Sequence, residues 1–191
     1  MKVGLFFGSF NPIHVGHLII AQAVVNETEL DRVQMVISPQ NPLKKKKNLL
    51  GEYDRLRMLE LALEGNYKIQ ASNVEFFLPK PSYTIDTLRH LRATRKSSEF
   101  SLIMGEDNLA HLHKWKEYEQ LLENYTIYCY PRVGTEDNSH WEKYPMVKRF
   151  EMPYLDISAT RIREMIKARK DVRYMVPGKA YEYLVKEGLY L

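Results

Sequence analysis

Two histidines near the N-terminus are the side chains whose spacing best suits chemistry. His14 and His17 stand three residues apart at the start of an apolar segment, Val15 to Val25, that is long enough for a helix. Residues three apart share one helix face, so both imidazoles would point at one object. A helix N-terminus carries unpaired N–H groups and partial positive charge, so the pattern predicts a phosphate site. Two surface histidines at a loop–helix junction would show the same spacing.

The residues before the histidines favour the phosphate interpretation. Lys2 to Phe7 is an apolar run typical of a buried strand, and Gly8 permits a turn that other residues disfavour. Pro12 fixes the approach to the helix, and Gly16 allows another group to pack closely. A strand, a tight turn and a helix in this order can build a phosphate cradle.

A second candidate phosphate site lies near the C-terminus. Ser158 and Thr160 stand where a helix over 158–169 is predicted to begin, and Arg163 follows one turn later. Hydroxyls, unpaired N–H groups and a guanidinium at one helix start favour an anion. Taken alone, the segment is explained more simply as a Ser-capped amphipathic helix.

The elements that must position these residues alternate between strands and helices. Alternation predicts an α/β fold with a parallel sheet and helices on both faces, and ligands in such sheets bind at the carboxyl ends of the strands. We predict strands over 2–7, 32–38, 67–77, 100–104 and 126–130, an edge strand over 147–152, and helices over 15–25, 52–63, 82–95, 158–169 and within 177–191.

Two of these helices carry local signals. Leu56, Leu59 and Leu63 lie on one stripe of the second helix, so this stripe is predicted to face the core. Ser82 or Thr84 is predicted to cap the third helix.

Several polar and aromatic residues follow the fourth strand, and two of them have more than one interpretation. Asp107, beside Gly105, could bind a ribose diol or cap the following helix, and the cap is favoured by the residues alone. Trp115 is either core or a platform for a flat ring. His111 and His113 are two apart, which does not suit a metal site on a helix.

Composition limits the class of protein. The 191 residues are 45% hydrophobic and 27% charged, which predicts one ordinary globular domain over 1–191. A net charge of +4 suits nucleotides or nucleic acid equally. Cys129 is the only cysteine, which suits a reducing cytoplasm, and we expect no signal peptide, membrane span or membrane partner. The four lysines from Lys44 to Lys47 favour a solvated loop, from which one lysine could reach a bound phosphate.

Five segments together resemble the bacterial nicotinate-nucleotide adenylyltransferases of the (T/H)xGH nucleotidyltransferase superfamily. The segments read GSFNPIHVGH, ISPQNPLK, PSYTIDTL, GEDNLAHLHKW and ISATRIRE…RYMVPGKAYEYLVKEGLY, and they span essentially the whole chain in the family's order. Relatives usually carry Asp where this chain has Asn11. The resemblance implies a cytoplasmic enzyme of NAD biosynthesis with a Rossmann-like sheet. Such enzymes join ATP and nicotinate mononucleotide to give nicotinate adenine dinucleotide and pyrophosphate, with Mg²⁺ as cofactor.

The resemblance also implies roles for individual residues. It makes His14, His17 and Arg163 catalytic, and it leaves Mg²⁺ held mainly by the ATP phosphates rather than by the protein. The implied ATP-binding residues are Gly8, Ser9, Phe10, His14, His17, Gly105, Asp107, Ile157, Ser158, Thr160 and Arg163. The implied residues for nicotinate mononucleotide are Ser9, Asn11, Lys44, Tyr83, Thr84, Trp115 and Arg132.

Several other functions explain part of the chain. A sibling adenylyltransferase that uses nicotinamide mononucleotide or phosphopantetheine is the nearest alternative. A hydride-transferring enzyme would need GxGxxG after the first strand and a P-loop enzyme GxxxxGK[ST], and the sequence has neither. A nucleic-acid-binding module would explain the basic charge but not two anion cradles, so we expect no nucleic-acid partner. A homo-oligomer is left open.

Overall fold

The computed structural model describes residues 1–39, 49–132, 134, 141 and 143–191. Its described strands form one six-stranded parallel sheet in the order β3-β2-β1-β4-β5-β6, which is the Rossmann order. The strands are Lys2–Gly8 (β1), Arg32–Ile37 (β2), Ile69–Ser72 (β3), Glu99–Gly105 (β4), Ile127–Tyr130 (β5) and Val147–Arg149 (β6).

Helices connect the strands. None of those in the described ranges is long and apolar enough to cross a membrane. Short 3-10 helices cover Val74–Phe77 and Leu112–Lys114. The α-helices are Val15–Glu27 (α1), Glu52–Ala62 (α2), Thr84–Thr94 (α3), Glu106–Leu109 (α4), Tyr118–Asn124 (α5), Ala159–Lys167 (α6) and Gly178–Lys186 (α7).

The core lies in two layers, one on each face of the sheet. Successive strand residues alternate between them: Leu5 packs into one layer and Phe6 into the other, because neighbouring side chains of a strand point to opposite faces. Helices α1, α2, α6 and α7 cover the face of Phe6, whereas α3 and α5 cover the face of Leu5. The predicted α/β fold with helices on both faces is confirmed.

The strand order opens a crevice between β1 and β4. The chain leaves β1 toward β2 on one side, and β4 lies against the other side of β1, so the connections diverge at their carboxyl ends. Ligands of doubly wound sheets bind at this point. Gly8 and Gly105 end the two strands, so the motifs that follow them meet at the crevice.

Three sequence predictions need correction. The strand predicted over 67–77 is only Ile69–Ser72, because the chain then turns into the 3-10 helix that buries Glu75. Helix α5 was not predicted, since its seven residues are too few for a clear periodicity. Neither Ser82 nor Thr84 caps α3, whose N-cap is Tyr83 without a side-chain bond.

The residues that α2 buries also differ from those predicted. Leu59 and Leu63 are buried, but Leu56 is only half-buried, and Arg55 and Met58 are fully buried instead. A charged residue can occupy a core position only where its donors are satisfied. Four backbone carbonyls accept hydrogen bonds from Arg55, so the helix turns this residue inward.

The centre of β1 leaves no room for a larger residue at Gly4. A Cβ there would lie 2.6 Å from Cδ1 of Leu30 and 2.7 Å from Cδ1 of Ile103. Gly4→Ala should therefore lower the free energy of unfolding by about 1–3 kcal/mol through overpacking. Gly178→Ala, at the open first position of α7, should change it by less than about 0.5 kcal/mol. Urea unfolding measures both, and equal stabilities would contradict the packing argument.

Candidate active site

The turn after β1 is held by an aromatic ring. Phe10 has a φ of 43°, a left-handed conformation that costs a non-glycine residue roughly 1–3 kcal/mol. Its ring is buried and lies over Gly8, where a Cβ would come within 2.9 Å of it. The same ring meets His17 edge-on, with 5.0 Å between ring centres. Phe10 can therefore occupy this position only because residue 8 is glycine (Gly8). The ring of Phe10 in turn packs against His17.

His14 and His17 form a stacked pair at the start of α1. Their ring centres are 3.6 Å apart and their planes differ by 22°. The backbone N–H of His14 donates to Nδ1 of His17 over 3.3 Å. Because Nδ1 accepts, the proton of the neutral His17 ring is on Nε2, which makes that nitrogen a hydrogen-bond donor.

Both imidazoles are neutral near pH 7. Burial lowers the pKa of His14 to about 4, with a smaller effect from the positive charge of Arg132. Burial also lowers the pKa of His17 well below its usual value, and His14 and Arg132 lower it further. Nδ1 of His14 is buried and has no hydrogen-bond partner within the described part of the chain. The pair therefore offers neutral donors and acceptors rather than cations.

Two backbone N–H groups at the start of α1 already donate hydrogen bonds within the protein. The N–H of Val15 donates to the carbonyl of Met175 over 2.9 Å, and that of His14 is used by His17. The phosphate interpretation expected these groups to be unpaired. The partial positive charge of the helix end remains, so an anion here would depend more on the dipole and the imidazoles than on these two amides.

The C-terminal segment docks directly on the N-terminal loop. Nη1 of Arg163 donates to the backbone carbonyl of Asn11 over 2.7 Å, and Nη2 donates to Oγ1 of Thr160 over 3.2 Å. Ser158 caps α6 by accepting from the N–H of Arg161. A Cβ placed on Gly16 would lie 3.5 Å from Cβ of Ile157, so the segment also touches α1. The two predicted cradles therefore lie against each other.

Asp107 and Arg132, assigned above to different substrates, lie together at the ends of β4 and β5. Oδ1 of Asp107 is 3.7 Å from Nε of Arg132. A Cβ on Gly105 would lie only 2.4 Å from Oδ1 of Asp107, so a larger residue here would require this half-exposed carboxylate to move. The N–H of Arg132 donates to Glu106 over 3.3 Å. Gly105, rather than Asp107, is the N-cap of α4.

A cavity of about 160 Å³, which we name the strand-end cavity, opens at the carboxyl ends of the strands. His14, His17 and Arg163 are outside its lining. Phe6 connects them to it, since its ring lines the cavity and lies 6.3 Å from the His17 ring. The predicted residues Gly8, Ser9, Tyr83, Thr84 and Trp115 line the cavity, together with Ser38, Glu75, Ser82, Asn108, Lys114, Lys116 and Tyr130, which the sequence did not assign to the site.

The remaining predicted residues have different positions. Lys44 lies outside the described residues. Asn11 is buried, and its side-chain oxygen accepts from the N–H of Leu50 over 3.2 Å and from the hydroxyl of Tyr190 over 2.9 Å. Trp115, for which core and platform were both open, is half-buried and contributes to the cavity wall.

Arg55 and Glu75 are the buried charged residues that sequence reasoning missed at this site. Arg55 donates to the carbonyls of Ser9 and Ser38 over 2.6 and 2.9 Å, so it joins the turns after β1 and β2. Its only sequence signal is its place one turn before the buried Leu59. Glu75 follows a half-buried strand, and no pattern in the sequence marks it.

The donors at this edge do not fit a protein-held magnesium ion. The described residues contain no group of three or more His, Cys, Asp or Glu side chains that could hold a metal. Mg²⁺ prefers oxygen ligands in octahedral geometry. The carboxylate of Asp107 already faces a guanidinium, and Thr160 and Arg163 of the C-terminal segment supply a hydroxyl and a guanidinium rather than carboxylates.

The neutral histidines predict a pH dependence of stability. Unfolded histidine binds a proton below pH 6.5, whereas folded His14 stays neutral down to about pH 4, so the unfolded state takes up more protons in between. The free energy of unfolding should fall as the pH drops through this window, by up to about 1.4 kcal/mol per pH unit for each such histidine. Urea unfolding between pH 4.5 and 7.5 measures the slope.

His14→Gln should make the dependence of the free energy of unfolding on pH shallower, because the variant lacks one of the histidines that stay neutral in the folded state. His113→Gln, at an exposed position, should leave it unchanged. The assignment is wrong if the wild type and His14→Gln show the same slope.

The chain matches known proteins over its full length. The family model described as cytidylyltransferase-like matches residues 5–165, a span that includes both candidate cradles. A protein of Flavobacterium johnsoniae, described as a probable nicotinate-nucleotide adenylyltransferase, is 49% identical over 191 residues, which cover 100% of this chain and 99% of the relative. A protein of Cytophaga hutchinsonii with the same description is 47% identical, with 100% and 98% covered.

Solved structures share the fold. The nicotinic acid mononucleotide adenylyltransferase of Plasmodium falciparum, complexed with NaAD, superposes with a TM-score of 0.83 at 20% identity and covers 99% of this chain and 97% of its own. The similarity in structure therefore extends over every element of the sheet. From the span of the family model and the identity of the full-length relatives, the chain belongs to the cytidylyltransferase-like family and, within it, to the nicotinate-nucleotide adenylyltransferases.

Proposed function

We propose that ATP binds across the joined cradles and nicotinate mononucleotide binds in the strand-end cavity, so that the adenylyl group passes between them at the Gly8–Ser9 turn. The products are nicotinate adenine dinucleotide and pyrophosphate. The observation that carries the proposal is the hydrogen bond from Arg163 to the carbonyl of Asn11. It places the C-terminal cradle beside the histidines, at the edge of the sheet where the cavity opens.

Each substrate takes a set of residues in this proposal. The triphosphate and adenosine are assigned to Gly8, Ser9, Phe10, His14, His17, Gly105, Asp107, Ile157, Ser158, Thr160 and Arg163. The mononucleotide is assigned to Ser9, Asn11, Lys44, Tyr83, Thr84, Trp115 and Arg132, of which Lys44 lies outside the described residues. Phe10 and Asn11 are buried, and we assign them the indirect role of holding the turn.

The reaction needs alignment and charge stabilisation more than proton transfer. A phosphate oxygen of the mononucleotide attacks the α-phosphorus of ATP in line, and pyrophosphate leaves. The attacking phosphate is already ionised at neutral pH, so no general base is required. Nε2–H of His17 donates to an α-phosphate oxygen as charge develops there, and Arg163 neutralises the triphosphate. Mg²⁺ would arrive on the ATP phosphates and supply further positive charge there.

Binding of the adenosine ribose would require Asp107 to exchange a partner. Its carboxylate is half exposed and faces Arg132 at 3.7 Å. An exposed ion pair of this kind contributes only about 0–1 kcal/mol, so exchanging it for a ribose diol costs little. The ribose and the mononucleotide would then meet where Asp107 and Arg132 lie side by side, so the two roles fit one position.

The acceptor cavity favours an acid over an amide. Tyr83 and Thr84 line the cavity at the start of α3, and no side chain caps this helix. An uncapped helix start presents N–H donors and partial positive charge, which suit the carboxylate of nicotinate better than the neutral amide of nicotinamide. We also assign the enzyme to the cytoplasm, where its lone, buried Cys129 would stay reduced.

The acceptor assignment predicts an order of activities. Pyrophosphate release from ATP should be fastest with nicotinate mononucleotide, at least about tenfold slower with nicotinamide mononucleotide, and undetectable with phosphopantetheine. Initial rates at equal acceptor concentration, read by a pyrophosphate-coupled assay, measure the order. Faster turnover of either alternative acceptor would replace the proposal with the corresponding sibling activity.

The role of His17 predicts a large loss of turnover. His17→Ala removes a neutral donor aimed at the developing charge, so kcat should fall by roughly 10²–10³. His113→Ala, at an exposed position, should retain wild-type kcat. Circular dichroism checks that both variants are folded, and near-normal turnover by a folded His17→Ala would remove this residue from the mechanism.

A further inference from the structure

The wall of the strand-end cavity contains a buried carboxylate. Glu75 lies in the 3-10 helix after β3 and is 2% exposed. The hydroxyl of Ser82 donates to its Oε2 and that of Thr87 to its Oε1, each over 2.9 Å. No Lys, Arg or His of the described residues forms an ion pair with it. Hydroxyl donors alone satisfy this charge.

The partners of Glu75 bracket the first turn of α3. Ser82 and Thr87 are themselves buried, and Tyr83 and Thr84 stand between them in the sequence. Both of these intervening residues line the cavity. One carboxylate thus fixes the chain immediately before the helix and again one turn into it, so the orientation of the intervening amides depends on Glu75.

Ser38, which follows β2 directly, lines the same cavity as Glu75. Its backbone carbonyl accepts from Arg55 over 2.9 Å. The first turn of α3 and the Gly8–Ser9 turn therefore border one cavity, and Glu75 holds the α3 side of it.

We propose that Glu75 is a positioning residue that makes the first turn of α3 selective for the carboxylate of the acceptor's pyridine ring. This inference rests on the proposed function. Both oxygens of Glu75 are occupied by hydroxyls, so the residue acts through the turn rather than on the ring. A direct contact would bring two carboxylates together in a buried place, which is unfavourable.

The test separates acceptor binding from chemistry. Glu75→Gln keeps the size of the side chain but removes its charge and turns one acceptor oxygen into an N–H donor, so one charge-assisted bond from a hydroxyl is lost and that hydroxyl must reorient to accept. The KM for nicotinate mononucleotide should rise at least about tenfold, as expected for the loss of a hydrogen bond to a charged group. kcat and the KM for ATP should stay within about twofold, and the preference for the acid over the amide should fall.

Glu52→Gln is the matched control. Glu52 forms an ion pair with Lys80, two residues before Ser82, at the surface. This variant removes a carboxylate contact to the same segment without touching the cavity, so all three constants should remain at the wild-type values. Should Glu75→Gln fail to unfold cooperatively, Ser82→Ala, which removes one donor, is judged by the same division between acceptor KM and kcat.

The outcomes distinguish this inference from the proposed function. A wild-type protein that releases no pyrophosphate with nicotinate mononucleotide contradicts the proposed function itself. If the wild type is active, an acceptor KM that is unchanged or lower in Glu75→Gln overturns the role of Glu75. A fall in kcat with an unchanged acceptor KM overturns it as well, because a positioning residue of the acceptor turn acts on binding.

Discussion

The hydrogen bond from Arg163 to the carbonyl of Asn11 joins two segments that are 152 residues apart in the sequence. A buried polar loop needs partners for its backbone groups, and here the C-terminal part of the chain supplies them. The side-chain oxygen of Asn11 accepts from Tyr190 and Leu50, so the loop is fixed from three directions. The histidines that follow can be placed accurately only because this loop cannot move independently of α6 and the C-terminal tail.

Arg55 also fixes loop segments at this edge of the sheet through hydrogen bonds. A fully buried guanidinium is costly unless its donors are paired, and backbone carbonyls after β1 and β2 pair it. Arg55 is positively charged and Glu75 is negatively charged, yet they do not pair with each other. Each is satisfied by neutral dipoles, so each ties loop segments together rather than cancelling a neighbouring charge.

The sequence predicted what depends on local pattern. The alternation of apolar runs placed β1, α1 and β2 within a few residues, and the string from Gly8 to His17 marked the turn between β1 and α1. Hydrogen bonds between residues that are separated in the sequence could not be predicted. No pattern near Asn11 indicates that it bonds to Tyr190, and no pattern near Glu75 indicates that it bonds to Thr87. The capping prediction for Ser82 failed because α3 begins one residue later, with Tyr83 as its N-cap, and the Ser82 hydroxyl donates to the buried carboxylate of Glu75.

The neutrality of the histidine pair suits the role that we propose for it, in a site that must bind two polyanions without trapping them in the ground state. Two imidazolium rings stacked at 3.6 Å would repel each other and would bind the substrate phosphates strongly before any reaction. Burial keeps the pKa of His14 near 4, so an approaching phosphate meets neutral donors near pH 7. Neutral donors gain most when charge increases on the oxygen they contact, which happens in the transition state. We therefore assign binding to the permanent positive charges of Arg163 and Arg132, and rate enhancement to the neutral imidazoles.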